Sequence, residues 1–144
     1  MRVEASIRIA APPEKVWEYV SDPSRYPEFW QGARFWPVDG EPTVGLRARF
    51  NVWMQVRSAE VGGLIEVIEW DPPKELAWTS ITGVDQRGRW RLRESNSDTM
   101  VWLRLSYQAP GGLLALIADR VSAPIVRGNL RRTLASLKRL LEES

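Results

Sequence analysis

The sequence predicts an α+β fold, in which strands joined by tight turns are closed by one long C-terminal helix, and three observations predict it. Residues 9–30 write a strand end, a short helix and a second helical turn in succession. Between residues 46 and 107 apolar and polar residues alternate in runs punctuated by Gly, Pro, Asn and Asp, the pattern of strands with one buried face. From Val126 to Leu141 the apolar spacing becomes that of a helix.

Each element has its own signal. Ile7 and Ile9 alternate with Arg8 as a half-buried strand requires, and Pro12-Pro13 ends the extended run and pre-sets the backbone angle of a first helical turn. Val16, Trp17 and Val20 form the apolar stripe of that helix, with Glu14 placed to suit its N-terminal dipole. Asp22-Pro23 reads as a second N-cap with proline in first position, opening a turn that Pro27 closes. Leu46, Ala48, Phe50, Val52 and Met54 alternate with Arg47, Arg49, Asn51 and Trp53, predicting one long strand whose apolar face meets the core and lines a cavity. Gly62-Gly63 reads as a turn into a strand from Leu64 to Trp70, which Asp71-Pro72-Pro73 stops. Glu75 to Thr82 is the next strand, punctuated by Gly83. Arg87, Arg89, Arg91 and Arg93 alternate with Gly88, Trp90 and Leu92, so the arginines share one face, either a solvated outer surface that resists edge-to-edge association or a phosphate-reading patch. Asn96 to Asp98 supply a hairpin, and Val101, Leu103, Leu105 and Tyr107 return as an inward face.

In the last helix, Val126, Leu130, Leu134, Leu137 and Leu141 fall within an arc of roughly 80° at the α-helical period, opposite Arg127, Arg131, Arg132, Lys138 and Arg139. Asn129 and Thr133 border the apolar arc, where a polar group can face a pocket. Pro124 interrupts the helical pattern begun by Leu113 and predicts a kink or break over residues 122–124.

Composition narrows the chemistry. The 144 residues, 44% hydrophobic, suit one domain spanning 1–144. Without Cys or His there is no disulfide, thiolate nucleophile or imidazole base, and no metal site or cofactor is expected. Arg2, Glu4 and Arg8 rule out a signal-peptide pattern at the start of the chain, and no apolar run has membrane-spanning length, so the expected location is the cytoplasm. A net charge of +2 does not suggest nucleic acid as a partner. From Arg120 to Leu141, however, there are six basic residues and no acidic one: either a solvated helix face, or a weak contact surface for an anionic membrane or an acidic partner.

The motifs Ala11-Pro12-Pro13-Glu14-Lys15-Val16-Trp17, Ser21-Asp22-Pro23, Tyr26 and Trp30, then Glu69-Trp70-Asp71-Pro72-Pro73-Lys74-Glu75-Leu76-Ala77-Trp78, then Pro110-Gly111-Gly112-Leu113, stand in the order found in the START-like (SRPBCC, helix-grip) superfamily, which the chain resembles over nearly its whole length. The resemblance is to members described as polyketide cyclase/dehydrase and lipid-transport proteins. It implies a seven-stranded antiparallel sheet wrapped around the C-terminal helix, two short helices between strands 1 and 2, and a ligand cavity gated by the segment before the long helix. Tyr26-Pro27-Glu28-Phe29 also resembles a stretch of coenzyme Q-binding START-like proteins, which implies an isoprenoid quinone as an alternative ligand.

Eight tryptophans make an aromatic-lined cavity the central expectation. Trp78 and Trp90 face inward with Trp30, Trp17 packs a helix on the sheet, and Trp53 and Trp102 face outward. The expected ligand-binding residues are Trp30, Phe50, Met54, Trp78, Ser80, Trp90, Tyr107, Asn129 and Thr133, each with core packing or an internal hydrogen bond as the competing role. A Trp90 that faces an open pocket would lose few packing partners when truncated. Catalysis would need an inward acid or base, for which the candidates are Tyr107, Glu66 and Glu69; the two glutamates lie three apart on one strand, so one of them should face inward, where burial would raise its pKa. The resulting expectation is binding or transport of a small hydrophobic molecule that is lipid-like, aromatic or polyketide-like, with polyketide cyclase/dehydratase chemistry as the alternative.

Overall fold

Antiparallel strands joined by short turns must lie beside one another, and only the first strand of this chain lacks a hairpin partner next to it in sequence. In the computed structural model the chain runs β1 (Arg2–Ile9), α1 (Pro13–Val20), a 3₁₀ turn (Pro23–Glu28), β2 (Ala33–Pro37), β3 (Arg49–Val56), β4 (Ala59–Asp71), β5 (Glu75–Gly83), β6 (Asp85–Ser95), β7 (Asp98–Gln108) and α2 (Gly112–Glu142). The structure describes residues 1–38, 40, 42–56, 59–83, 85–108 and 112–143, with the backbone alone described at 56, 59–61 and 112–122. One seven-stranded sheet forms in the order β1-β7-β6-β5-β4-β3-β2, every neighbouring pair antiparallel. The chain leaves β1 at one edge and enters β2 at the other, so α1 and the 3₁₀ turn bridge the two edges.

The local chemistry follows the sequence closely at both N-terminal helices. Pro13 occupies the first turn of α1, and the Asp22 carboxylate accepts the Ser24 N–H at 3.1 Å to cap the 3₁₀ turn. The β6–β7 hairpin turns between the Ser95 and Asp98 pair, with Asn96 at φ +58°, a left-handed conformation that asparagine tolerates. Helix α2 buries Val126, Leu130, Leu134, Leu137 and Leu141 against β1 and, less extensively, β7 and β3. Its C-terminal end is tied to β1 by Lys138, which donates to Arg8 O at 2.9 Å, and by Glu142, which accepts the Ala10 N–H at 2.8 Å.

Three expectations are corrected, and one strand that the sequence did not mark is added. The strand expected from Leu46 begins at Arg49, because Gly45 and Arg47 both have positive φ and form a turn that leaves Leu46 51% exposed. Gly62-Gly63 is not a turn but lies inside β4: a Cβ on Gly63 would collide with the Thr82 carbonyl of β5, so glycine serves here to let neighbouring backbones close up. Strand β2 occupies Ala33–Pro37, which no alternation signal marked. Helix α2 runs unbroken through Pro124, which sits at an exposed position of the helix. The expected gate at Pro110-Gly111 lies outside the described residues.

Gly88 has the tightest requirement. An added Cβ would fall inside the indole of Trp78, which lies across the β6 backbone. Gly88→Ala is therefore expected to lower stability by about 1–3 kcal/mol, the usual cost of overpacking. Urea midpoints of the variant against the parent chain check this.

Candidate functional site

The inner face of the sheet and the apolar face of α2 enclose the candidate site, and its two ends differ. At the end nearest α1 the space is filled by rings. Tyr26 sits among Phe29, Trp30, Phe35, Trp78 and Trp90 with centroid separations from its own ring of 4.9 to 6.4 Å. Its hydroxyl donates to Val20 O at 2.6 Å, and burial pushes its pKa far above the usual tyrosine range, partly offset by the nearby Trp90 indole N–H. That N–H is close enough to act electrostatically but lacks hydrogen-bond geometry, so the indole nitrogens of Trp78 and Trp90 are both buried without a partner among the described residues. Each carries the desolvation cost of an unsatisfied donor, about 1–3 kcal/mol, against the packing of a large ring. Trp17 closes the same end from outside, edge-on to Trp70 at 5.2 Å.

Toward the opposite end, where β3, β5 and β7 finish, inner-face residues keep partial exposure: Met54, Ser80, Tyr107 and, on α2, Ala123 and Asn129 are half-buried. Gln86, 8% exposed, lies on the same face and pairs across the ladder with Tyr107. Ser80 Oγ accepts the Gln86 N–H at 3.1 Å just beyond the last β5–β6 ladder pair, Thr79 with Arg87, so a side chain continues the pairing where the strands part. Asn129 is engaged twice, accepting from Trp30 Nε1 at 2.8 Å and donating to Gln31 O at 3.0 Å, while Thr133 donates to the Asn129 carbonyl at 2.8 Å. Asn129 thus docks the helix, while Thr133 stays bonded within it.

The expected residues divide accordingly. Trp30, Trp78 and Trp90 lie in the packed ring cluster and Phe50 in the core beside it, while Met54, Ser80 and Tyr107 lie at the open end with Asn129 at its border. Thr133 is buried and bonded within its own helix. Neither glutamate faces inward. A bulge between Val67 and Glu69 inserts Ile68 and reverses the side of every residue after it, so Glu66 and Glu69 share the outer face. Glu66 pairs with Arg49 at 3.1 Å. Glu69 accepts from both terminal nitrogens of Arg89, at 2.6 and 2.9 Å, which holds its carboxyl below the ordinary value of 4.5. Glu75 bridges Arg89 and Arg91, each at 3.1 Å, and Arg93 lies 5.7 Å from the Trp102 ring centroid. Arg89 and Arg91 of β6 thus belong to an ion-paired outer face.

Tyr26 as the centre of the cluster, Phe35 and Gln86 were not reached from sequence. Gln86 is one step further along the inward alternation of Gly88, Trp90 and Leu92, and the density of rings from Tyr26 to Trp30 marks Tyr26, whereas nothing marks Phe35 because β2 itself carries no signal. Among the described residues no charged side chain is buried, no cluster of metal-ligating residues forms, and no helix is long and apolar enough to cross a membrane.

This architecture is that of the helix-grip proteins, and the sequence matches the family of polyketide cyclase/dehydrase and lipid transport proteins over residues 1–142. The chain belongs to that family. Among solved structures it is similar to TTHA0849 from Thermus thermophilus (TM-score 0.84, 22% identity, 99% of this chain and 98% of that one). It is also similar to the Zhui aromatase/cyclase from Streptomyces sp. R1128 (0.77, 18%, 99% and 93%). A third likeness is to the di-domain aromatase/cyclase BexL from the BE-7585A biosynthetic pathway (0.69, 22%), where it covers 99% of this chain and 46% of that one. No curated protein matches the sequence.

Two outcomes follow from this geometry. Trp90, fully buried among rings, should cost about 3–5 kcal/mol on replacement by Ala, the filled-core value, measurable as a drop in urea midpoint. Because Glu69 has a depressed pKa in the folded chain, its contribution is present above the unfolded carboxylate pKa and is lost as pH falls through the lower folded value. Glu69→Gln should therefore flatten the fall in stability on acidification by lowering stability at pH 7, by under about 1 kcal/mol for a partly exposed pair, and by less in acid; urea titrations at neutral and acid pH test this.

Proposed function

We propose that this chain binds and carries a small hydrophobic molecule, aromatic, lipid-like or polyketide-like, at the open end of the space between sheet and α2. The observation that carries the reading is the gradient along the inner face: a floor packed with rings, then a half-open rim of Met54, Ser80, Gln86 and Tyr107 that offers apolar surface with a few polar groups. Ligand sites have this composition, mostly apolar with sparse orienting donors and acceptors. Family membership supports the same class of ligand.

A cyclisation or dehydration role is the second reading, favoured by likeness to aromatase/cyclase structures. It would rest on Tyr107, half-buried at the rim. The glutamates are committed to outer arginines, and Tyr26 donates its proton to a backbone carbonyl while burial keeps it neutral, so neither supplies a base near neutral pH. An isoprenoid quinone remains the weaker alternative ligand, resting on the resemblance of Tyr26-Pro27-Glu28-Phe29 alone.

Native mass spectrometry of the chain purified from its source is expected to reveal a co-purifying small molecule, and N-phenyl-1-naphthylamine to gain fluorescence on binding. Met54→Trp, which fills the rim without touching the packed floor, should weaken that probe about tenfold with little change in urea midpoint. Absence of both ligand and probe binding would sink the carrier reading.

A further inference from the structure

The outer face of the sheet carries paired charge over β4, β5 and β6, but its β2–β3 corner is different. Ala33 and Phe35 are buried, so Arg34 and Trp36 point outward, and the register sets Trp53 opposite Arg34 and Asn51 opposite Trp36. On β4, Gly62 stands opposite Trp53 and brings no side chain to cover it. The result is a cleft of about 530 Å³ lined, among the described residues, by Arg34, Trp36 and Trp53. That volume lies in the range of small-ligand sites. Trp36 is 47% exposed, and the Arg34 guanidinium lies 5.8 Å from the Trp53 ring centroid with no carboxylate partner among the described residues.

Strand addition does not explain this surface. Gln55 N–H donates to Gly32 O at 2.9 Å and Val38 N–H to Arg49 O at 3.1 Å, which turns the amides of even-numbered β2 residues toward β3 and those of Ala33, Phe35 and Pro37 toward the free edge. Proline has no N–H, and the Ala33 N–H is spent on Trp30 O at 3.4 Å. Phe35 alone keeps a donor on that edge, too little to pair a further strand.

We propose that the corner is a second binding site, on the outer face and separate from the interior one, for a small planar aromatic carboxylate. Trp36 and Trp53 are diagonal neighbours across an antiparallel pair. Such positions stand about 7–8 Å apart, which two van der Waals contacts of about 3.5–4.0 Å fill with one ring between them. Arg34, at the side of that slot, supplies a planar fork of donors matched to a carboxylate.

The probes are 2-naphthoate and its neutral counterpart 2-naphthylmethanol, followed by the indole ¹H–¹⁵N signals of the eight tryptophans, assigned with single Trp→Phe variants. Naphthoate is expected to shift Trp36 and Trp53. Arg34→Met should weaken naphthoate about tenfold and leave naphthylmethanol nearly unchanged, while Trp53→Ala should weaken both. Unchanged urea midpoints and unchanged N-phenyl-1-naphthylamine binding establish that these variants keep the fold and the interior. Shifts confined to Trp30, Trp78 and Trp90, an unaltered naphthoate affinity in Arg34→Met, or no shift up to ~5 mM ligand would each overturn the proposal. Failure of the interior reading would instead abolish phenylnaphthylamine binding and leave the naphthoate result standing.

Discussion

The structure depends on Tyr26. Its ring is the centre against which Phe29, Trp30, Phe35, Trp78 and Trp90 pack, and its hydroxyl satisfies Val20 O at the end of α1, a carbonyl that would otherwise have no partner inside the helix. Burial makes that hydroxyl a permanent neutral donor. One side chain therefore fixes α1, the 3₁₀ turn and the inner face of β2, β5 and β6 relative to one another. The constraint then passes to the long helix: Trp30 donates its backbone N–H to Tyr26 O and its indole N–H to Asn129 at 2.8 Å. The helix is held at its middle by this polar contact and at its C-terminal end by Lys138 and Glu142.

Holding α2 at those places sets its apolar face over the ring-packed part of the inner sheet face. The rings that anchor Trp30 occupy the α1 end, and the leucines from Leu130 to Leu141 complete the core with β1 and β7. Toward the ends of β3, β5 and β7 the β5–β6 ladder gives way to the Ser80 Oγ contact, and Met54, Ser80 and Tyr107 stay half-buried. The polar side chains there are the Gln86 amide, the Ser80 hydroxyl and the Tyr107 phenol.

How far the sequence foretold this varied with the physical signal. Strands β5, β6 and β7 were legible because Glu75 to Tyr107 alternates cleanly and Asp71-Pro72-Pro73, Gly83 and Asn96 punctuate it. Strand β2 was not, since Ala33–Pro37 is short, ends in proline and shows period two only once its partner β3 is known. Gly62-Gly63 misled because glycine permits close backbone approach as readily as a turn, and only the neighbouring Thr82 carbonyl distinguishes the two. Leu46 misled because the alternation continues in letters through Gly45 and Arg47, where the backbone has already turned. Among site residues, the inward tryptophans followed from period two, but whether they line space or fill it depends on Tyr26 and Phe35, which come from other parts of the chain.

The placement of Glu69 shows how one inserted residue decides which face of the sheet a carboxylate occupies. Without the Ile68 bulge, a strict period of two would set Glu69 opposite Glu66 in facing, directed inward toward the ring cluster. There, desolvation would raise its pKa and give the interior a base close to neutrality. One inserted residue instead sends it outward to a bidentate contact with Arg89, its pKa falls, and Arg89 gains a carboxylate partner. Lacking histidine and cysteine, the chain has no other titratable side chain with an ordinary pKa near seven to replace it. The register of β4 thus decides both the ion pairing of the outer face and the outward placement of Glu69.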